Sequence, residues 1–351
     1  MTSQPLARTV GFKSGERNVF LHLLTACNLS CRHCYINPEQ HGTQILPLAT
    51  VLSWLQLLLD PDKASNLILL GGEPTLHPDL AAIIKAAKAM GYAVTVDTNG
   101  LLCHQLLDQV TPLELDYLSF SLDGPDAAVN DPIRGEGVFE RCSANIRKAV
   151  TAGFAVSLIY TVSGLNIDHL QRMPELVARL GVRRFFIQVI GLRGKSAGGE
   201  APEVPWQVDP EQWLEIVPRV ALAAAEKGIH VVYPKVYLEP GETFECAGRV
   251  AENYFVFPNG RVYQCPLCED HPIHSMVIEE DQLRRRSGLN EDRFFQLAIP
   301  EGCVMNKLLQ PENISYLDDG SPSHQISCCL LKQEVLPLTP TKSHGSRKDD
   351  S

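Results

Sequence analysis

Residues 25–36 read TACNLSCRHCYI and place three cysteines, Cys27, Cys31 and Cys34, within one short stretch. They follow directly on VFLHLLT (19–25), an apolar run that predicts a β-strand. Loops at the carboxyl ends of parallel strands are where α/β folds place their active sites. Four ligands would close a tetrahedral zinc site or a fully ligated cluster, whereas three thiolates leave one position open for catalysis. The alternative is a structural zinc site with His33 as its fourth ligand.

The composition is that of a soluble protein of ordinary type. The chain has 351 residues, 44% of them apolar and 21% charged, and this length is typical of two domains. The net charge of −10 argues against general binding to nucleic acid or anionic membranes. The N-terminus lacks the apolar run of a signal peptide, and no stretch approaches the roughly 20 apolar residues that span a bilayer. We therefore expect a cytoplasmic protein without nucleic-acid or membrane partners.

Eleven cysteines are many for such a protein. A reducing compartment does not favour a disulfide framework, so their clustering indicates metal or redox chemistry. Cys103 and Cys142 stand apart on predicted helices, and we expect both to be small buried hydrophobic residues.

Strand and helix patterns alternate from residue 18 to about residue 235. The spacing of apolar residues predicts strands at 19–25, 66–70, 93–98, 117–122, 154–162 and 184–190. It predicts helices at 48–60, 79–90, 101–110, 138–152, 168–180 and 210–228, with Pro174 starting or kinking the fifth. Six βα units predict a parallel sheet with helices outside it, either open or curved into a barrel.

The alternation stops after about residue 236, where the chain becomes rich in Gly, Pro and Cys. Six of the eleven cysteines follow this point, and a segment with so little apolar sequence needs stabilising staples such as metal clusters. We therefore predict a lead-in at 1–17, an α/β domain at 18–235, a cysteine-rich domain at 236–335 and a disordered tail at 336–351.

A second motif, GGEP (71–74), follows the second predicted strand. Gly72 lets backbone approach a ligand closely, and Glu73 presents a carboxylate that suits an ammonium group. Taken alone, GGEP could be a plain turn. Its position one βα unit after the cysteine loop favours a site.

Together these residues resemble the radical S-adenosylmethionine (SAM) superfamily. The Cys-x3-Cys-x2-Cys loop closed by Tyr35 is similar to the family's [4Fe–4S] motif, and GGEP to the motif that holds the SAM amino group. The resemblance covers residues 18 to about 190 and implies a partial (β/α)6 barrel. It also implies that the open iron chelates SAM and that one-electron reduction cleaves SAM to a 5′-deoxyadenosyl radical, which abstracts hydrogen from substrate.

The resemblance extends to further SAM contacts. TNG (98–100) contains Asn99, SLDG (121–124) contains Ser121 and Asp123, and DPIRG (131–135) contains Arg134. It implies that Ser121 bonds the SAM carboxylate or ribose and that the Arg134 guanidinium pairs with the carboxylate. Arg134 in a surface ion pair, and Asp97 and Asp123 as turn or capping residues, are the alternatives.

The C-terminal segment resembles the SPASM/Twitch extensions of that superfamily. Cys246-x13-Gly260-x4-Cys265 encloses a predicted hairpin with Asn259-Gly260 at its turn, and Cys268 follows. The compact four-cysteine run of a full SPASM domain is missing, so we expect one auxiliary [4Fe–4S] cluster. Its predicted ligands are Cys246, Cys265 and Cys268, with Cys328 or Cys303 as the fourth and one of the adjacent Cys328 and Cys329 spare. A zinc site is the alternative, because Cys-Pro-Leu-Cys is also a zinc knuckle.

The pattern is most similar to SPASM/Twitch enzymes that modify peptides or proteins. Oxidation or rearrangement of a small molecule, such as an aminocyclitol or a tetrapyrrole, is the second possibility. Molybdopterin cyclases rank lower because the chain lacks their Gly-Gly end and their auxiliary triad spacing. A non-catalytic iron–sulfur or zinc protein is the alternative from another class. The resemblance implies a reductant such as flavodoxin or ferredoxin as partner.

Overall fold

The computed structural model describes residues 5–198 and 205–337, in which thirteen strands join one sheet. The strands are β1 (Leu6–Val10), β2 (Glu16–His22), β3 (Ala64–Leu70), β4 (Ala93–Thr98), β5 (Tyr117–Ser121), β6 (Val156–Val162), β7 (Arg184–Val189), β8 (His230–Pro234), β9 (Glu252–Val256), β10 (Arg261–Tyr263), β11 (Met276–Glu279), β12 (Gln282–Arg285) and β13 (Lys332–Leu336). The helices are α1 (Pro38–His41), α2 (Leu48–Leu58), α3 (Leu80–Ala89), α4 (Cys103–Leu107), α5 (Ala127–Arg134), α6 (Val138–Thr151), α7 (Met173–Leu180), α8 (Lys195–Gly198), α9 (Pro210–Glu226), α10 (Ala247–Val250), α11 (Glu291–Phe295) and α12 (Val304–Leu309). None of the helices in these ranges is both long and apolar enough to cross a membrane.

Parallel strands form the centre of the sheet. Its order is β1-β13-β8-β7-β6-β5-β4-β3-β2-β9-β10-β11-β12, and every neighbouring pair from β8 to β9 is parallel. The sheet is open, since β1 and β12 are its two ends. This architecture confirms the predicted α/β class and its partial barrel.

Alternation along each parallel strand separates a core face from an inner face. On β7, Phe185 and Ile187 are fully buried in the hydrophobic core, whereas Phe186 and Gln188, which alternate with them, are only half-buried. The same alternation places His22 at the end of β2 on the inner face. The inner face therefore carries the polar residues, and its carboxyl edge is where the predicted site falls.

Several elements differ from the sequence-based prediction. The helix predicted at 101–110 covers only Cys103–Leu107, and the one predicted at 168–180 is a 3₁₀ turn followed by α7, with Pro174 in the first turn of α7. Helix α5 was not among the predicted helices, and it contains Pro132. Strand β8 was not predicted, and it follows the sixth helix as a further parallel strand.

The C-terminal segment continues the same sheet. Strands β9 and β10 form the predicted hairpin, with Gly260 at φ +83°, and β9 lies parallel to β2. Strand β13 lies between β1 and β8 at the other side. The domain boundary near residue 236 stays a prediction. The predicted tail overlaps the end of β13, and its residues 338–351 lie outside the described residues.

Candidate active site and cysteine-lined cavity

The three cysteines Cys27, Cys31 and Cys34 lie in the loop that leaves the carboxyl end of β2. The Cys34 amide donates to the Cys31 carbonyl at 3.3 Å, which curls the loop. Its middle rests on the end of α5, where the Arg32 amide donates to the Ile133 carbonyl at 2.9 Å. All three cysteines are free thiols. The loop therefore lies at the carboxyl edge of the parallel strands, as the sequence predicted.

Burial of Cys27 and Cys31 raises the pKa values of their thiols, which affects how they can bind a metal. Burial raises the pKa of the Cys27 thiol to about 11. Burial also raises the pKa of Cys31, and the Arg134 guanidinium opposes this shift. Thiols with raised pKa values are protonated at neutral pH, so a metal would have to displace their protons on binding. Such a site is stabilised by its metal.

The two glycines of GGEP are required by the cysteine loop itself. A Cβ on Gly72 would lie 2.3 Å from the Ala26 carbonyl oxygen, and one on Gly71 would lie 2.5 Å from that of Leu24. The Glu73 amide donates to the Ala26 carbonyl at 3.0 Å. The glycines thus let the loop after β3 lie directly against the loop after β2. Their close approach is to backbone, where the sequence had suggested a ligand.

Glu73 joins the loops that follow β3 and β4. Its buried carboxylate accepts from the Thr75 amide at 3.0 Å, the Thr98 hydroxyl at 2.7 Å and the Asn99 amide at 2.7 Å. Burial raises the pKa of Glu73, and these hydrogen bonds oppose the shift. The Asn99 side chain reaches on to the cysteine loop, where it donates to Asn28 Oδ1 at 2.7 Å and lies 3.8 Å from the Cys27 sulfur. The predicted residues Glu73 and Asn99 therefore brace the cysteine loop.

Asp123 and Arg134 meet in a buried cluster after β5. Asp123 is fully buried, with Arg134 Nε 2.5 Å and His33 Nε2 3.2 Å from its Oδ2, while the Thr161 amide donates to its Oδ1 at 2.8 Å. Arg134 and His33 hold the pKa of Asp123 well below its usual range despite its burial. His33, considered above as a zinc ligand, is thus directed at a carboxylate. Ser121, the last residue of β5, is half-buried next to the buried Phe120.

Tyr35 connects the cysteine loop to residues that the sequence did not single out. Its hydroxyl lies 2.7 Å from His22 Nε2, and the guanidinium carbon of Arg193 lies 5.0 Å from its ring centre. Burial lowers the pKa of His22 to about 3, so its ring is neutral. The signal for His22 was its alternation with the buried Val19 and Leu21 on β2. Arg193 lies in a loop after β7 and gave no pattern signal.

Asp97, like Asp123, had the role of a turn or capping residue as its alternative in the sequence analysis. It lies on the inner face of β4, since Val94 and Val96 occupy the fully buried face. Burial raises its pKa to about 7, opposed by a hydrogen bond with Ser119. The alternating pattern of AVTVDT could have identified it. A carboxyl group with this pKa beside Glu73 belongs to the electrostatics of the site.

A second set of cysteines surrounds one cavity in the C-terminal segment. Its cysteines are Cys246, Cys265, Cys303, Cys328 and Cys329. Apolar side chains, including Phe244, Phe294, Phe295, Met305 and Leu330, complete the wall. Burial raises the pKa of the Cys246 thiol well above its usual range, and it raises the pKa of the Cys303 thiol to about 12. Such thiols in apolar surroundings suit a metal centre that excludes water.

The predicted ligand Cys268 does not line this cavity. It is fully buried at the end of a 3₁₀ turn, Pro266–Cys268. A hydrogen bond with Cys265 lowers its pKa, but burial and Glu291 outweigh this and raise it to about 11. The alternatives Cys303 and Cys329, in contrast, do reach the cavity. Within residues 5–198 and 205–337, no three His, Cys, Asp or Glu side chains are arranged to hold a single metal ion.

A cysteine loop braced by a glycine-rich loop, at the carboxyl edge of an open parallel barrel, defines a class of enzyme that binds its cofactor at that edge. The family model described as the radical SAM superfamily matches residues 21–177. A probable GTP 3′,8-cyclase of Saccharolobus islandicus is 30% identical over 273 residues, which cover 73% of this chain and 84% of that protein. The chain therefore belongs to the radical SAM superfamily.

Other similar proteins differ in how much of their length is matched. The mycofactocin maturase MftC of Mycobacterium tuberculosis is 26% identical over 324 residues, covering 87% of this chain and 75% of that protein. Pre-heme d1 synthase of Dinoroseobacter shibae is 33% identical over 187 residues, and the match spans 52% of this chain but only 46% of that protein. The structure of Streptococcus suis SuiB bound to precursor peptide SuiA has a TM-score of 0.60 at 12% identity, covering 86% of this chain and 66% of that one. It shares the fold.

Proposed function

We propose that this radical SAM enzyme modifies a peptide or protein, using one cluster held by Cys27, Cys31 and Cys34 and a second one in the C-terminal cavity. The proposal of a first cluster is supported by the contact of the loops that follow β2, β3 and β4 at the carboxyl edge of the sheet. Glu73 and Asn99 of the latter two loops contact each other and the loop that contains Cys27. When bound there, a [4Fe–4S] cluster and SAM supply a 5′-deoxyadenosyl radical that abstracts hydrogen.

The residues of the chain have distinct roles in this proposal. The three thiols of Cys27, Cys31 and Cys34 would hold the cluster, and an iron without a thiol ligand would be free to bind SAM. Glu73, with Gly72 beside it, and Asn99 face the amino group, while Ser121 and Arg134 face the carboxylate or ribose. Asp123 neutralises and orients Arg134 through its contact with Nε, so the other guanidinium nitrogens remain for SAM. Tyr35 covers the cluster loop from the side of His22.

For the second centre we propose Cys246, Cys265, Cys328 and Cys303 as the ligands. These four line the same cavity, whereas Cys268 does not. Cys329 is then the spare member of the adjacent pair, because neighbouring residues seldom both reach one cubane cluster well. A cluster held by these four thiols would supply an acceptor for the electron released when a substrate radical is oxidised.

Similarity to the M. tuberculosis protein named a maturase, over 87% of this chain, favours peptide or protein modification. The second candidate is modification of a small molecule. The names of the pre-heme d1 synthase and of the cyclase favour it, and the first of these matches at 33% identity. The two candidates share the radical chemistry and differ in the substrate.

The test begins with protein purified and reconstituted without oxygen, supplied with a reductant such as flavodoxin, ferredoxin or dithionite. We expect about eight irons per chain, as two [4Fe–4S] clusters require, and 5′-deoxyadenosine when SAM is added. Cys27→Ala should remove about half of the iron and all 5′-deoxyadenosine. Cys246→Ala should remove the other half and leave some SAM cleavage. Zinc in place of iron, with no 5′-deoxyadenosine, would refute the proposal.

The substrate class is tested with the same protein. Candidate peptides encoded beside the gene are added with SAM, and the mass of each peptide is compared before and after reaction. A mass change that depends on SAM and on Cys27 supports peptide modification. Turnover of a tetrapyrrole or nucleotide under the same conditions, with peptides unchanged, would favour the second candidate.

A further inference from the structure

The short segment Arg193–Lys195, which follows β7, contacts both cysteine-bearing regions. On one side, the Lys195 amide donates to the Cys34 carbonyl at 2.9 Å. On the other side, Arg193 Nη1 donates to the Pro266 carbonyl at 2.9 Å, one residue after Cys265. A three-residue segment thus lies between the two proposed metal centres and bonds the backbone of each.

Arg193 makes the strongest of these contacts. Its guanidinium lies over the Tyr35 ring, with 5.0 Å from its central carbon to the ring centre, and its Nη1 is 2.5 Å from Glu269 Oε2. Only 20% of the Arg193 side chain and 2% of the Glu269 side chain are exposed. Low exposure removes the solvent screening that weakens surface ion pairs and cation–π contacts. One planar group therefore holds the aromatic residue of the first loop and the turn of the second.

Gly194 shows how closely the segment fits against the first loop. Its φ is +54°, and a Cβ on it would lie 2.5 Å from the Cys34 carbonyl oxygen and 2.7 Å from the carbonyl carbon of Tyr35. Its amide donates to Asp270 Oδ2 at 2.6 Å, while Asp270 Oδ1 accepts from the Asn37 side chain at 3.2 Å. The segment, the cysteine loop and the 266–270 turn therefore cannot shift independently.

We propose that Arg193 is a positioning residue that couples the two metal centres, by fixing the Cys34–Tyr35 backbone relative to the Cys265–Asp270 turn. The inference rests on the proposed function, since the second centre is part of that proposal. A buried ion pair adds little net stability, and its role in this proposal is to fix one arrangement of the two regions. Lysine could keep the charge but not the planar contacts with Tyr35, Pro266 and Glu269 together.

The variants are Arg193→Gln, Arg193→Lys and the double change Arg193→Gln/Glu269→Gln, which avoids leaving Glu269 buried without its partner. The matched control is Arg184→Gln. Arg184 lies at the start of β7, the strand that precedes the Arg193–Lys195 segment, and its guanidinium carbon is 4.1 Å from the Tyr117 ring centre. Like Arg193, it has a buried Nε without a hydrogen-bond partner in the described residues. Each protein is reconstituted in full length, and its iron content is measured first.

Three readouts then separate coupling from a general loss of structure. They are the electron paramagnetic resonance (EPR) signal of the first cluster with SAM, the rate of 5′-deoxyadenosine formation, and the response of both to Cys246→Ser, which empties the second centre. A displacement of about 1 Å can cost about a hundredfold in rate, so we expect the Arg193→Gln variants to be slower by about tenfold or more at full iron content. Arg193→Lys should recover only part of the rate, and Arg184→Gln should match wild type.

The decisive comparison is a double-mutant cycle. With Arg193 present, emptying the second centre should change the EPR signal and the rate at the first; with Arg193→Gln/Glu269→Gln, it should change neither further. Additive effects, or equal slowing in Arg184→Gln, would overturn the coupling. Wild type with about four irons would overturn the proposed second cluster and the coupling together, whereas about eight irons with additive effects would overturn the coupling alone.

Discussion

Replacement of Asp123 by asparagine tests the buried charge cluster beneath the cysteine loop. Asp123 has no exposed surface and neutralises Arg134 at 2.5 Å. Asparagine keeps the shape and can still accept from the Thr161 amide, whose bond to Asp123 is 2.8 Å long. The change therefore removes the charge and leaves the Arg134 guanidinium buried without its counter-ion.

The magnitude follows from these contacts. Removing one partner of a buried ion pair costs about 3–5 kcal/mol. The retained hydrogen bond to Thr161 limits the loss by about 1 kcal/mol. We therefore expect Asp123→Asn to lower the free energy of unfolding by about 3 kcal/mol at pH 7.5. Because Arg134 and His33 lower the pKa of Asp123, its contribution is complete above its unfolded pKa of about 3.9, and it is lost only as the pH falls through its folded pKa.

Urea unfolding, followed by circular dichroism without oxygen, measures this change. The control is Asp292→Asn, whose partner Arg285 lies at 2.9 Å with 69% of its side chain exposed. An exposed pair contributes less than about 1 kcal/mol, so this variant should remain close to wild type. The double variant Asp123→Asn/Arg134→Gln should recover part of the loss. A single variant Asp123→Asn within about 1 kcal/mol of wild type would refute the assignment of a buried, uncompensated Arg134.

Three further predictions concern buried carboxylates. Burial raises the pKa of Asp97 to about 7, so ionising Asp97 lowers the stability of the wild type as the pH rises from about 3.9 through 7. The free energy of unfolding of Asp97→Asn, measured in urea, should therefore increase relative to that of the wild type by about 1–2 kcal/mol between about pH 5.5 and 8. Glu73→Gln replaces an oxygen that accepts from Thr98 or Asn99 by a donor, so SAM affinity in equilibrium dialysis should fall about tenfold, as a loss of about 1.4 kcal/mol implies. Glu291→Gln weakens acceptance from the Cys265 amide, 3.1 Å away, so about half of the iron, one cluster of two, should be lost faster to a chelator.

Each of these predictions has a contrary result. A constant difference between Asp97→Asn and wild type across the pH range would show that Asp97 does not titrate near neutrality. Unchanged SAM affinity in Glu73→Gln would leave Glu73 with only its bracing contacts. Equal iron loss from wild type and Glu291→Gln would separate Glu291 from the second centre, and Glu280→Gln, at an exposed position, serves as its control.

Much of the fold could be predicted because it depends on local patterns. Strand β4 begins and ends where the alternation of AVTVDT predicted, and α6 and the β9–β10 hairpin lie within a few residues of their predictions. These elements bury one face each, so the period of their apolar residues carries the information. Cys103 and Cys142 are fully buried, as expected for isolated cysteines on helices.

The remaining features depend on contacts between distant residues. Helix α5 forms although Pro132 lies inside it: Asp126 caps its first turn, and the Ile133 carbonyl near its end accepts from the Arg32 amide of the cysteine loop. The cavity cysteines were ranked by spacing, and spacing favoured Cys268, which does not line the cavity, so its role as a ligand stays a prediction. Arg193 is one arginine among many in the sequence. Its contacts with Tyr35 and Glu269 are seen only once the fold has placed its loop between these two residues.

The pairing of β2 with β9 explains how two cysteine sets so far apart in sequence are held together. The strands are parallel and in register from Arg17 opposite Glu252 to Leu21 opposite Val256. Beyond them, His22 Nδ1 lies 3.0 Å from the Val256 carbonyl, and the Phe257 ring stacks between His22 at 4.1 Å and His41 at 3.9 Å. Because β2 leads into the first cysteine loop and β9 leads through the hairpin to Cys265, this strand pair fixes the two regions at one end. The Arg193–Lys195 segment bonds them at the other, so the separation of the two proposed centres follows from contacts on both sides.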